Sequence, residues 1–300
     1  MSELGRIGVW GHLDSLVAQH FGPYVVRVEQ LGFATLWVPE TVGREPFSLL
    51  ATAAAVTQTL RLGTSIASIW ARDAVTMRCS ALGLQELSEG RFVLGLGVSH
   101  HHLTQKVRGH RYERPLSRMR EYLAAYRAAP YRGPVHEPRP EPPIVVAALR
   151  ERMVELAARE TDGAFPYLVT AERVRWMRDR LDAAADEAHP ILAVTLPVVL
   201  DTSSPSARQT ARAYLTPYLR TPNYQASWTE QGFEDADWEK PGSDRLVDAM
   251  VAHGDEAALV DRVAELHSAG ADHVALIPLA SDGTTEHLPT LVALAGCLGL

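Results

Sequence analysis

The sequence predicts a single (β/α)8 TIM barrel over residues 1–300, and three observations predict it. The chain has 300 residues, and such a barrel commonly takes about 250 as one unit. Short β-branched or apolar runs alternate with longer amphipathic ones, and their number, about eight, is the one that closes a parallel barrel. A strand followed by a helix, repeated, gives parallel strands joined by crossovers.

In chain order the expected strands are residues 7–10, 35–39, 62–68, 92–97, 144–147, 163–165, 192–200 and 273–277. Helices are expected at 23–31, 47–57, 74–87, 116–128, 152–159, 171–185, 256–268 and 286–298, most with apolar residues at helical spacing. A doubly wound open sheet would carry a glycine-rich turn after its first strand. Here that strand runs into Gly11-His12-Leu13-Asp14. Two connections are too long to be mere links, one at 98–114 after the fourth strand and one at about 218–254 after the seventh. Insertions of this length are usually lids, binding walls or oligomer contacts. The first holds three consecutive histidines with Lys106, Arg108, Arg111 and Arg114; the second mixes Tyr224, Trp228, Phe233 and Trp238 with acids. Five prolines between residues 134 and 143 read as a stiff connector.

Composition narrows the function classes. A formal net charge of −7 argues against a nucleic-acid partner, which needs a phosphate-neutralising basic surface. The first six residues show no leader pattern, and no run approaches the ~20 apolar residues that span a bilayer. A cytoplasmic protein with no membrane partner is expected. Cys79 and Cys297 lie inside helical patterns and read as packing residues, forming neither a disulfide framework nor a zinc site.

In such barrels the chemistry sits at the carboxyl ends of the strands, which selects His12, Glu40, Ser68, Trp70, Gly97, His100, Leu149, Arg150, Pro166, Tyr167 and Thr170. Gly97 either lets the backbone approach a flat ligand or relieves crowding in the barrel. His100, His101 and His102 point in alternating directions if the loop is extended, so no metal is expected; the run is either a solvated loop or places at least one histidine for proton transfer or ligand contact. Glu40 is a proton-transfer group or substrate anchor, or else the partner of Arg44 or Arg72. Trp70 walls a planar ligand or packs. Leu149-Arg150 and residues 167–170 open two helices, where free N–H groups favour an anion. Taken alone, Thr170 reads better as a plain N-cap, with Glu172 and Arg173 behind it.

The chain resembles the luciferase-like monooxygenase superfamily, the bacterial-luciferase barrel, and within it an actinobacterial subgroup assigned to coenzyme F420. The resemblance runs through Gly32-Phe33-Ala34-Thr35-Leu36-Trp37-Val38-Pro39-Glu40, Arg91-Phe92-Val93-Leu94-Gly95-Leu96-Gly97-Val98-Ser99-His100, Tyr112-Glu113-Arg114-Pro115-Leu116, Gly242-Ser243-Asp244-Arg245-Leu246-Val247-Asp248 and Gly270-Ala271-Asp272-His273-Val274. It implies a ring-bearing cofactor at the strand ends, against a bulge near Ala67-Ser68-Ile69 that often holds a non-prolyl cis peptide. The cofactor phosphate would lie by Leu149-Arg150 and by Pro166, Tyr167 and Thr170. The subgroup commonly has asparagine in place of Ser68 and Thr-Gly in place of Thr64-Ser65. The resemblance further implies a homodimer and an F420-dependent oxidoreductase that moves a hydride to or from a small organic substrate, with Glu40 and His100 for proton transfer. An FMN-dependent monooxygenase on the same barrel is the alternative; a non-catalytic barrel that has lost its cofactor is a third.

Overall fold

A barrel strand is covered on both faces, so its residues are buried along the whole run rather than alternately. That is the pattern of β1 (Ile7–Trp10) and β2 (Thr35–Val38), buried at every position. The structure, a computed structural model, describes residues 4–185 and 188–300. Residues 1–3, part of the stretch read for a leader, fall outside it.

After β1 come α1 (Ala18–Gln30), β2, α2 (Pro46–Val56), β3 (Arg61–Thr64), β4 (Ala67–Ser68), α3 (Ala74–Leu87) and β5 (Phe92–Gly97). A π-helix (His102–Val107) follows, then α4 (Pro115–Ala128), β6 (Ile144–Val146), α5 (Glu151–Glu160), β7 (Gly163–Ala164), α6 (Ala171–Ala184) and β8 (Ile191–Leu200). The rest is α7 (Ser204–Leu215), a 3-10 turn (Tyr218–Arg220), α8 (Pro222–Glu230), α9 (Asp235–Trp238), α10 (Asp244–Met250), β9 (Ala252–Gly254), α11 (Glu256–Ser268), β10 (His273–Pro278) and α12 (Leu288–Cys297). All the pairings are parallel, and β10 bonds both β1 and β8, which closes the barrel. With β3 and β4 as one interrupted strand, the ring has the eight strands expected. Among the described residues no helix is long and apolar enough to cross a membrane.

The barrel interior is filled by fitting large side chains against missing ones. A Cβ on Gly63 would lie 2.2 Å from the Trp37 ring, and one on Gly8 2.7 Å from the His273 ring. Trp37 stacks on Phe165 with centroids 4.6 Å apart. Its indole N–H donates to His273 Nε2 at 2.9 Å, and His273 Nδ1 lies 2.8 Å from the Gly5 carbonyl. A carbonyl only accepts, so the proton is on Nδ1, and Nε2 is the acceptor that Trp37 needs. Burial lowers the His273 imidazole to about 4, keeping it neutral.

Several expectations need correction. Helix α1 starts at Ala18, five residues before the expected Pro23, because the apolar stripe Phe21, Tyr24, Val25, Val28 begins a turn earlier and outweighs the amide bond that Pro23 lacks. The third strand is broken in the middle. Thr64 Oγ donates to the Gly95 carbonyl at 2.8 Å and accepts from the Gly95 amide at 2.9 Å, so a side chain replaces the ladder there. The non-prolyl cis peptide of this bulge joins Ser65 and Ile66, ahead of the expected 67–69. The loop after β5 is not extended but holds the π-helix, and the later insertion adds the unforeseen strand β9 on β8. Cys79 and Cys297 are helical but exposed, so neither is a packing residue.

Candidate functional site

Within four residues past the ends of β1, β5 and β7 stands one non-glycine residue in the left-handed region: Leu13 (φ 52°), Ser99 (φ 54°) and Leu168 (φ 55°). Such strain persists only where the surroundings enforce it, and three instances on one rim mark it as the specialised end.

The bulge forms one wall of this mouth. Trp10 donates from its indole to the Ser65 carbonyl at 3.2 Å, and the Ile66 side chain lies where a Cβ on Gly97 would be, at 2.5 Å. Gly97 therefore makes room for Ile66, the crowding-relief role. Ala67 is fully buried in the layer between barrel and helices. Ser68 gives its amide to Glu40 at 2.8 Å and accepts on its hydroxyl from the Trp70 amide at 3.3 Å. Glu40 also takes Arg72 Nη1 at 2.9 Å on both carboxylate oxygens, with Arg108 3.6 Å away. Of its two readings, the ion pair with Arg72 is the arrangement found. Trp70 spends its N–H on the Val98 carbonyl at 2.9 Å and is flanked by Tyr112 and Arg118, so it anchors the loop after β5.

Aromatic rings form the opposite wall. Trp10 leads to Tyr167 (5.5 Å), Tyr167 to Tyr224 (5.9 Å) and Tyr224 to His100 (5.2 Å). The Tyr167 hydroxyl bonds those of Tyr214 and Tyr218. Burial raises all four tyrosines above their ordinary value and lowers His100 and His12 below theirs, so these groups are neutral at neutral pH. His100 Nδ1 is buried without a hydrogen-bond partner, while His101 and His102 are exposed. Among the described residues no group of three or more His, Cys, Asp and Glu is placed to hold a metal ion.

The third component is the head of α6. Thr170 is its N-cap, accepting from the Arg173 amide at 3.2 Å, as the capping alternative has it. Its own amide donates to Gln231 Oε1 at 2.8 Å. Arg173, 6% exposed, donates through Nη2 to the Leu149 carbonyl at 2.6 Å and to Glu230 Oε2 at 2.5 Å, and lies 3.7 Å over the Trp176 ring. Its Nε has no partner. Pro166 is buried beneath this segment, and Arg150, the N-cap of α5, is exposed. In the sequence, Arg173 stands only behind the helix start at Thr170. Its position in the first turn after a barrel strand was the available signal, but its burial depends on α8, some 57 residues away. A separate open groove of about 710 Å³ runs between α8 and α9, walled by Arg220, Trp238 and Lys240.

The profile described as luciferase-like monooxygenase matches residues 2–273. A provisionally named coenzyme F420-dependent oxidoreductase of Mycobacterium tuberculosis is 31% identical over 205 residues, 59% of this chain and 58% of that protein. The coenzyme F420 dependent tetrahydromethanopterin reductase of Methanopyrus kandleri superposes with a TM-score of 0.76 at 15% identity over 97% of both chains. The oxygenating constituent of 3,6-diketocamphane monooxygenase of Pseudomonas putida, solved with FMN, superposes with a TM-score of 0.70 at 15% identity over 97% of this chain and 98% of that one. At such identities the structural likeness speaks for the fold alone. The chain spans about half the length of the curated relatives it matches.

Proposed function

The chain belongs to the luciferase-like monooxygenase family, and from that premise we propose an oxidoreductase that uses the deazaflavin coenzyme F420 to exchange a hydride with a small organic substrate. The sequence relative named for that coenzyme supports the choice of F420. One observation in the chain itself carries the reading: a buried guanidinium with an unpartnered Nε at the head of α6, a donor set that suits an anionic group.

When bound, the deazaflavin supplies the hydride chemistry. Arg173, with the amides that open α6, would hold its phosphate, and the bulge at Ser65-Ile66 with Trp10 would flank its ring. Tyr167, Tyr214, Tyr218 and Tyr224 exclude water from the mouth. His100, held neutral by burial, can take up or release a proton at Nδ1, a buried ring nitrogen of the mouth that lacks a partner among the described residues. Glu40, with both oxygens on Arg72 and one on the Ser68 amide, fixes the bulge and is poorly placed to carry protons.

Titration with F420 and, separately, with FMN, followed by tryptophan fluorescence at fixed ionic strength, tests the reading. F420 should bind more tightly than FMN, and Arg173→Met should weaken that binding at least about tenfold, the order expected for one charge-assisted contact. Tighter FMN binding would turn the reading to oxygenation, and binding of neither would leave a non-catalytic barrel.

A further inference from the structure

Glu230 is placed against the preference of its own helix. It is the last residue of α8, where the macrodipole is negative and a carboxylate is disfavoured. What holds it there is Arg173, at 2.5 Å. The two partners are unequally committed: the Arg173 side chain is 6% exposed and that of Glu230 43%. The carboxylate can swing into water at little cost, whereas the guanidinium is buried and needs an anion wherever Glu230 goes. The next residue, Gln231, fills the neighbouring donor by accepting from the Thr170 amide, and Gly232 beyond it (φ 83°) has open space around its Cα. Two consecutive side chains from one helix end thus occupy two donors at the head of α6, the Arg173 guanidinium and the Thr170 amide. Arg173 Nε, buried and unpartnered, remains as capacity that Glu230 does not use.

We propose that Glu230 is an internal competitor for the anion site of Arg173 and Thr170, and that a phosphate group entering the site displaces its side chain into solvent. The inference rests on reading the head of α6 as the phosphate site of the cofactor. It adds that affinity there is set by an exchange between two anions, with Glu230 lowering it and making it depend on how readily the end of α8 lets go. Binding would require no movement of Trp228, which is fully buried and donates to the Leu168 carbonyl at 3.3 Å. Only the end of α8 would rearrange.

Inorganic phosphate alone tests the idea, read by intrinsic fluorescence, with Trp176 beneath Arg173 as a local reporter, and by the melting temperature. The parent protein, Glu230→Gln and Arg173→Met are compared. Glu230→Gln should bind phosphate about five- to tenfold more tightly than the parent, and added phosphate should raise its melting temperature more than it raises the parent's. Arg173→Met should lose the response. Equal or weaker phosphate binding by Glu230→Gln would overturn the proposal, as would an unchanged response in Arg173→Met. A positive phosphate result with no F420 binding would leave the exchange standing and remove only the choice of cofactor.

Discussion

The two ends of the barrel are built from the same residue types and put them to opposite use. At the floor, His273 and Trp37 satisfy each other and the Gly5 carbonyl, with glycines at positions 8 and 63 making the space. At the mouth, His100 meets Tyr224, keeps one buried nitrogen unpartnered, and sits on a rim with three left-handed non-glycine residues. Buried polar groups in native proteins are nearly always paired, so the mutually satisfied Trp37 and His273 read as scaffold, and the unspent nitrogen of His100 at the mouth reads as part of a site. A histidine in a core is therefore not informative by itself; what its second nitrogen does is.

The largest effect should come from the floor. Trp37→Ala removes the ring that fills the place left by Gly63 and takes the donor from His273, and should cost about 3–5 kcal/mol in urea unfolding. A loss under about 1 kcal/mol would mean that the floor is no better packed than the mouth.

The pH dependence comes next. His273 has a native pKa of about 4, below its unfolded value near 6.5, so between those values the unfolded chain binds a proton that the native chain refuses. Its contribution is complete above about pH 6.5 and falls away toward pH 4, by about 3 kcal/mol in all. His273→Gln, which can donate to Gly5 and accept from Trp37 without titrating, should flatten that slope. An unchanged slope would assign it to other groups, such as His12 or His267, both also lowered by burial.

A smaller effect is expected where floor and mouth meet. Gly97→Ala puts a Cβ within 2.5 Å of Ile66 and should cost about 1–3 kcal/mol by forcing the bulge to move. The smallest is at the mouth itself: His100→Ala should change stability by less than about 1 kcal/mol, since no hydrogen bond of its ring is lost. A large loss there would make His100 another scaffold residue.

How much of this was legible follows from range in sequence. Strands such as Phe92–Gly97 and helices such as Ala74–Leu87 announce themselves locally, the latter through Asp73, whose side chain accepts from the Thr76 amide. The bulge was foreseen only through family resemblance and was misplaced, because its position is set by Thr64 meeting Gly95 on another strand. Glu40 offered two roles, and the choice lay with Arg72, 32 residues away. The short helices between residues 218 and 254 could not be read at all. They have 9, 4 and 7 residues, too few to be stable by propensity, and are held by burying Tyr224, Trp228 and Leu246. For the same reason the cover that α8 places over Arg173 had no local signal.

Histidine-selective NMR of the protein during titration with F420 tests the contrast between the two ends most directly. The His100 ring signals should shift or broaden as the cofactor fills the mouth, while those of His273, sealed between Trp37 and Gly5, should stay where they are. Saturating F420 that leaves His100 unmoved, or that moves His273 instead, would contradict that contrast.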